Sequence, residues 1–229
     1  MKRIDAPEIL DSDACSVEDV RISMMDLGRV NRWFGGVTTT QTLIERVART
    51  SGQKHLSILE VAAGSGEVPR IVRPRLARHG IDLEFTLLDL APAHLHRGNR
   101  SVVGDGLALP FRNESFDLVS CNLFAHHLSP ALVGQFVKEA LRVSRLAVLI
   151  NDLVRHPLHL ALVYAAFPIM RSRVAWLDGI TSVRRAYVPE EMRDAILSSD
   201  FSNGIPRIEI SRHYLFRMGV IVWKAEKAA

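Results

Sequence analysis

The chain has 229 residues, a formal net charge of +4 and 48% hydrophobic residues. That length holds one α/β domain with a full core, and the apolar content excludes extended disorder. Its 29 basic residues, only five of them lysine, are scattered along the chain, which argues against a nucleic-acid surface and for a solvated one.

Cys15 and Cys121 lie far apart and outside any metal-ligand spacing, so two reduced thiols and no metal site are expected. Asp5, Glu8, Asp11 and Asp13 leave no room for the basic-then-apolar layout of a secretory signal. The longest apolar run, Pro157 to Met170, contains His159 and falls short of the roughly 20 residues that a membrane span needs. A cytoplasmic protein without integral membrane association follows.

In chain order, Ser16 to Trp33 reads as an amphipathic helix with Val17, Val20, Met24, Leu27 and Val30 along one stripe. Ser16 is its N-cap, with Asp19 in the first turn. Gly35-Gly36 breaks it, and a second helix spans Thr38 to Thr50. Residues 1–54 thus read as a helical cap ahead of a sheet domain at 55–229. From His55 the pattern alternates. Strands are expected at Leu56–Ala62, Leu83–Leu88, Ser101–Val103, Phe116–Leu123 and Leu146–Ile150, with helices at Val68–Arg78, Pro92–Gly98 and Pro130–Val143. Pro74 should kink or shorten the first of these helices.

Strands apolar on both faces that alternate with helices imply a parallel sheet covered on both sides. A hydrophobic helix (Pro157–Met170), a loop (Asp178–Tyr187) and a helix (Pro189–Ser198) follow. Arg207–His213 and Phe216–Trp223 are separated too briefly for a parallel crossover and should form an antiparallel hairpin.

Ile58 to Pro69 is the most informative stretch: an apolar run ends in Glu60, passes through the small residues Ala62, Gly64 and Gly66, and opens a helix. Such a turn lets a ligand approach the backbone, and the helix start offers unpaired N–H groups. Two further acids follow at strand-sized intervals, Asp89 in Leu-Leu-Asp-Leu and Asp105 in Val-Gly-Asp-Gly. A nicotinamide fingerprint would need a third glycine at position 69, which is Pro.

Together these features resemble the class I S-adenosylmethionine-dependent methyltransferases, from about Leu56 to the C-terminus. The resemblance implies a Rossmann-like, mostly parallel seven-stranded sheet with an antiparallel C-terminal hairpin, and S-adenosyl-L-methionine as cofactor. It puts Glu60 near the methionine amino group and Gly64 to Gly66 under the cofactor. Ala62 stands where glycine is usual, which is tolerable at negative φ and damaging at positive φ. Asp89, with Leu90 beside it, matches the acid that accepts both ribose hydroxyls. Asp105, with the Gly106–Leu107 backbone, matches the acid at the adenine amino group. Phe116 to Leu123 resembles the fourth motif, whose strand end, at Asn122, lines the methyl-transfer site.

On the acceptor side, His126 and His127 follow the fourth strand, where ligands of such sheets bind. Either could serve as a general base, with His127 preferred, or one could cap the next helix while the other packs. Asn151-Asp152 should end strand five over the same cleft, Asp152 holding an acceptor hydroxyl or orienting a histidine. Arg184 and Arg185 either meet an anionic substrate group or form a solvated pair. Asn31 to Gly36 reads as a hinge for a lid, unless Trp33 is core. The Pro157–Met170 helix, with Tyr164 and Phe167, is either a substrate wall or a core helix.

The resulting expectation is methyl transfer to a small, largely apolar acceptor, aromatic or polyketide-like, at oxygen. Two alternatives stay open: carbon methylation of a quinone precursor, or a cofactor-binding protein that acts through interaction.

Overall fold

The computed structural model describes the chain apart from residues 12–14, 93–94, 96–99, 202–203 and 226–229. The helix expected at Pro92–Gly98 lies largely outside the described residues. Ser16 caps α1 (Val17–Trp33) as its Oγ accepts the Asp19 amide at 3.1 Å. A turn at Gly35, φ +82°, then leads into α2 (Gly36–Ser51), two residues earlier than its apolar pattern suggests.

The alternation after residue 55 becomes β1 (His55–Val61), α3 (Glu67–Ala77), β2 (Asp82–Asp89), β3 (Ser101–Val103), β4 (Phe116–Asn122), α4 (Pro130–Val143) and β5 (Ser144–Leu153). The α3 helix continues through Pro74 to Ala77. The next helices are α5 (Pro157–Ala165), α6 (Arg173–Arg185) and α7 (Pro189–Leu197), and β6 (Arg207–His213) and β7 (Arg217–Trp223) close the fold.

Three expectations change. The segment read as a loop from Asp178 is the second half of α6, a helix started by Ser172, whose Oγ accepts the Ala175 amide at 3.1 Å. The apolar helix stops at Ala165, with a separate 3-10 turn at Phe167–Ile169. Strand five runs on to Leu153, which places Asn151 and Asp152 inside the strand rather than past its end.

The seven strands order as β3-β2-β1-β4-β5-β7-β6. The first five are parallel, and β7 runs antiparallel between β5 and β6. Side chains alternate across a strand, so each strand feeds two cores. Leu56, Ile58, Leu118, Leu149 and Ile221 join Ile44, Val47, Val72 and Leu76 of α2 and α3 on one face. Leu59, Val61, Val119, Val148 and Val220 join Phe136, Val137, Met192 and Ile196 of α4 and α7 on the other.

An extended arm precedes α1 and crosses α6. The Asp178 carboxylate accepts the amides of Ile9 and Leu10 at 2.7 and 3.0 Å. Buried Asp26 of α1 accepts the Arg171 and Ser172 amides, both at 2.8 Å, at the start of α6.

Candidate active site

In this strand order the chain leaves β1 toward β2 on one side, and β4 joins β1 on the other. A crevice opens at the carboxyl ends of strands at such a switch point. Every glycine-turn, acid and histidine group expected in the site, apart from Asp105 and its neighbours, stands on β1, β2, β4, β5 or the turns that leave them.

The turn after β1 is fixed from both sides. The Ala63 amide donates to the Leu88 carbonyl at 3.0 Å and the Gly66 amide to the Ala63 carbonyl at 2.9 Å. Gly64 and Gly66 have φ of +52° and +69°, and Ala62 also sits at +52°. Alanine therefore occupies the left-handed region, the unfavourable case for this position. At Gly66 a Cβ would stand 2.6 Å from Leu87 Cδ1, whereas at Gly64 it would meet no described atom within 4 Å. Gly66 is needed for packing, and Gly64 leaves its backbone open to a ligand.

Asp89, 7% exposed, receives the Gly64 amide on Oδ2 at 2.8 Å and the Ala91 amide on Oδ1 at 3.0 Å. Leu90 is exposed. Asp105 is exposed, and its Oδ1 accepts the Leu107 amide at 2.8 Å. Gly106 is buried where a Cβ would come within 2.8 Å of Val61 Cγ1, at the end of β1.

Side-chain parity sorts the remaining groups onto two faces. Glu60 pairs in register with Ser120, and Asn122 with Asn151, so all four point to the α2 face. Ser120 Oγ and Asn122 Nδ2 donate to the Glu60 carboxylate. Asn122 Oδ1 accepts from Thr40 Oγ1 and Asn151 Nδ2, both at 2.7 Å, and Asn151 Nδ2 also reaches the Gly36 carbonyl at 2.7 Å. Buried Arg217 closes the network, with Nη2 on Asn31 Oδ1 at 2.9 Å. Glu60 is buried among neutral partners, and burial pushes its pKa up to about 7.

Asp152 points the opposite way from Asn151, so the two do not share one cleft wall. Its Oδ1 lies 2.7 Å from His126 Nδ1, and its Oδ2 accepts the His126 amide at 3.0 Å. His126 Nε2 faces Glu8 Oε1 of the N-terminal arm at 3.4 Å. Burial would lower the His126 pKa, but the Asp152 and Glu8 carboxylates outweigh it and raise it to about 9. His127 Nε2 lies 3.8 Å from Glu8 Oε2, and its side chain is 25% exposed against 2% for His126. Of the two histidines, His127 retains access to the surface. Neither caps α4, whose cap is Ser129.

The Arg184–Arg185 pair divides. Arg184 is exposed. Arg185 is buried, with Nη2 on the His127 carbonyl at 2.8 Å, Nη1 on the Ala6 carbonyl at 2.7 Å and Nε on the His126 carbonyl at 3.3 Å. It holds the histidine turn and the arm together. Trp33 is 60% exposed and is not core. Residues 157–169 supply no core helix either: no residue of α5 is buried, and Leu158, Tyr164, Phe167 and Ile169 are each at least half exposed.

Glu8, Thr40, Ser120, Ser182 and Arg217 join these two networks and went unread in the sequence, since each reaches them only through the tertiary fold. A cleft of about 1370 Å³ lies between α1, α3 and the outer half of β2, touching the glycine turn at Ser65 and Gly66. Asp89, Asn122 and His127 are not on its wall.

Residues 59–147 match the family model described as "Methyltransferase domain". A demethylmenaquinone methyltransferase from Thermotoga maritima is 27% identical over 105 residues, 44% of this chain and 42% of that protein. A non-reducing polyketide synthase, sor2, from Hypocrea jecorina is 29% identical over 102 residues, 43% of this chain and 4% of that protein. The chain thus spans less than half the length of either curated relative. Among solved structures, the plantazolicin methyltransferase BpumL, in complex with a triazolic desmethylPZN analog and SAH, superposes with a TM-score of 0.68 at 12% identity over 92% of both chains.

The residues fit S-adenosylmethionine. Glu60 is a buried carboxylate with only neutral partners, suited to an ammonium; Gly64 leaves open backbone; Asp89 offers a carboxylate to a diol. Residues 59–147 thus match a methyltransferase domain, and the strand order and donor set agree with the resemblance to the class I S-adenosylmethionine-dependent methyltransferases.

Proposed function

We propose that this protein transfers a methyl group to a hydroxyl oxygen of a small, largely apolar acceptor, aromatic or polyketide-like. One observation carries the reading: the glycine turn with Glu60 and Asp89 and the histidine turn at 126–127 flank the same switch point, after β1 and β4. S-adenosylmethionine supplies a methyl group made electrophilic by its sulfonium. The chain must position the acceptor, exclude water and accept one proton.

Glu60 takes the ammonium end, the Gly64–Gly66 backbone lies beneath, Asp89 with Leu90 takes the ribose, and Asp105 to Leu107 border the adenine. Asn122 stands between Glu60 and the acceptor side. His127 takes the proton as the acceptor O–H bond breaks. His126, gripped by Asp152 and Glu8, positions the turn that carries His127. Residues 1–54 act as the cap, with the arm that carries Glu8 closing the histidine side.

Isothermal titration with S-adenosylmethionine and, separately, NADH tests the pocket. Micromolar binding of the first alone supports it, and a panel of phenols and hydroxylated polyketides read by mass spectrometry then tests the acceptor. Binding of neither ligand would sink the reading.

A second reading, carbon methylation of a quinone precursor at a lipid surface, draws on the exposed apolar run Leu158, Leu162, Tyr164, Phe167 and Ile169. No helix among the described residues is long and apolar enough to cross a membrane, so contact would be interfacial. Turnover that requires vesicles would favour it; turnover indifferent to them would remove it.

A further inference from the structure

We propose that Glu8, His126 and His127 form a binding site for one divalent transition-metal ion of the zinc type. The inference stands on their geometry and needs no methyl transfer to be true. One ligand atom from each residue lies within 4.8 Å of the other two. His126 Nε2 is 3.4 Å from Glu8 Oε1, and His127 Nε2 is 3.8 Å from Glu8 Oε2. Ligands held at 2.0–2.1 Å around a tetrahedral zinc ion stand roughly 3.3 Å apart. The trio is gathered around one point, wider than a face of that tetrahedron, with the two shortest separations on different Glu8 oxygens, and side-chain adjustment would close it on an ion.

The surroundings are those of a metal site. Metal-bound histidines donate their other ring nitrogen to a carboxylate, which fixes the tautomer and aims the free lone pair. Asp152 does this for His126 through Nδ1 at 2.7 Å, and is itself held by the Leu153 amide at 2.7 Å. Ser182 Oγ donates to Glu8 Oε1 at 2.8 Å. Arg185 and Arg3 grip the backbone carbonyls of 126–128, Arg3 reaching Leu128 at 2.9 Å.

Two imidazoles and one carboxylate select zinc, cobalt, manganese or iron(II) over calcium or magnesium, which prefer oxygen, and over copper(I), which prefers sulfur. Three protein ligands leave one tetrahedral position for water or an oxygen of the acceptor. His127, the most exposed of the three, marks its open side. An ion there would occupy the nitrogen assigned above to proton transfer, so turnover is not the readout.

The test is calorimetric titration of the tag-free, chelator-treated full chain with Zn²⁺ and with Co²⁺, alongside the visible spectrum of the cobalt form. One equivalent bound at micromolar affinity or tighter, with tetrahedral cobalt absorption, is the expected result. E8Q and H127A, each checked for fold by circular dichroism, should weaken binding by tenfold or more and abolish the spectrum. No binding to the wild-type chain, or binding unchanged in both variants, overturns the site.

Discussion

Asp89 Oδ2 accepts the Gly64 amide at 2.8 Å, which ties the end of β2 to the turn after β1. The carboxylate proposed for the ribose is therefore also a structural clasp, and D89A removes both functions. Cofactor affinity should fall tenfold or more, from about 1–3 kcal/mol of lost hydrogen bonding, with a lower melting temperature. D89N keeps one acceptor oxygen and should retain more of the stability than of the affinity. Calorimetry and thermal denaturation of both variants separate the roles. Unchanged affinity in D89A would remove the ribose assignment.

Ala62 holds φ at +52°, where a non-glycine residue carries a cost. A62G should therefore stabilise the fold by about 1 kcal/mol, or roughly 2–4 °C in Tm for a domain of this size. A drop in Tm would mean that the alanine methyl packs well enough to outweigh the strain.

Most of the fold was legible because hydrophobic period and turn residues act locally: Pro130–Val143 and Arg207–His213 coincide with their expected bounds. Glu60 and Asp89 stand at the next-to-last and last residues of β1 and β2, positions that follow from the strand pattern, and Asp105 lies two residues past β3. What stayed hidden depends on sheet geometry. A strand five ending at Ile150 would leave Asn151 and Asp152 in one loop over one cleft. Extending it to Leu153 sends Asn151 to the Asn122–Thr40 network and Asp152 to His126, on opposite faces. Glu8 had no local signal at all, since an arm that crosses α6 delivers it to the histidine turn.

Glu60 ties stability and cofactor binding to pH. Its folded pKa of about 7 lies above the ordinary 4.5, so the folded state holds a proton that the unfolded state has released between those values. Stability should therefore decline from pH 4.5 to 7 and level off above, by at most about 3 kcal/mol. E60Q should flatten that slope. If Glu60 meets the cofactor's ammonium as carboxylate, binding should release a proton below pH 7 and weaken as pH falls. Calorimetry in buffers of different ionisation enthalpy reads the proton directly; no proton release at pH 6 would remove the contact.

H127A should lower kcat at least tenfold on a phenolic acceptor, the scale of a lost general base or more, while cofactor affinity stays within twofold. His127 lies on the acceptor side of the switch point and has no hydrogen bond to Glu60, Asn122 or Asp89 among those described. Rates within twofold of wild type would exclude it as the base.

Adjacent arginines on α6 give the sharpest contrast. Arg184 is exposed, so R184A should change stability by no more than about 0.5 kcal/mol. Arg185 is 5% exposed and donates to the carbonyls of Ala6, His126 and His127. Hydrogen bonds from a charged donor contribute about 1.5–3 kcal/mol each, and carbonyls left buried without a donor add a desolvation cost. R185A should lose roughly 3 kcal/mol or more, a drop of about 6–12 °C in Tm, and should loosen the arm. Limited proteolysis near the N-terminus should then cut faster in R185A than in R184A. Equal behaviour of the two variants would mean that the arm is held by Asp178 and Arg3 without Arg185, and that the histidine turn keeps its shape alone.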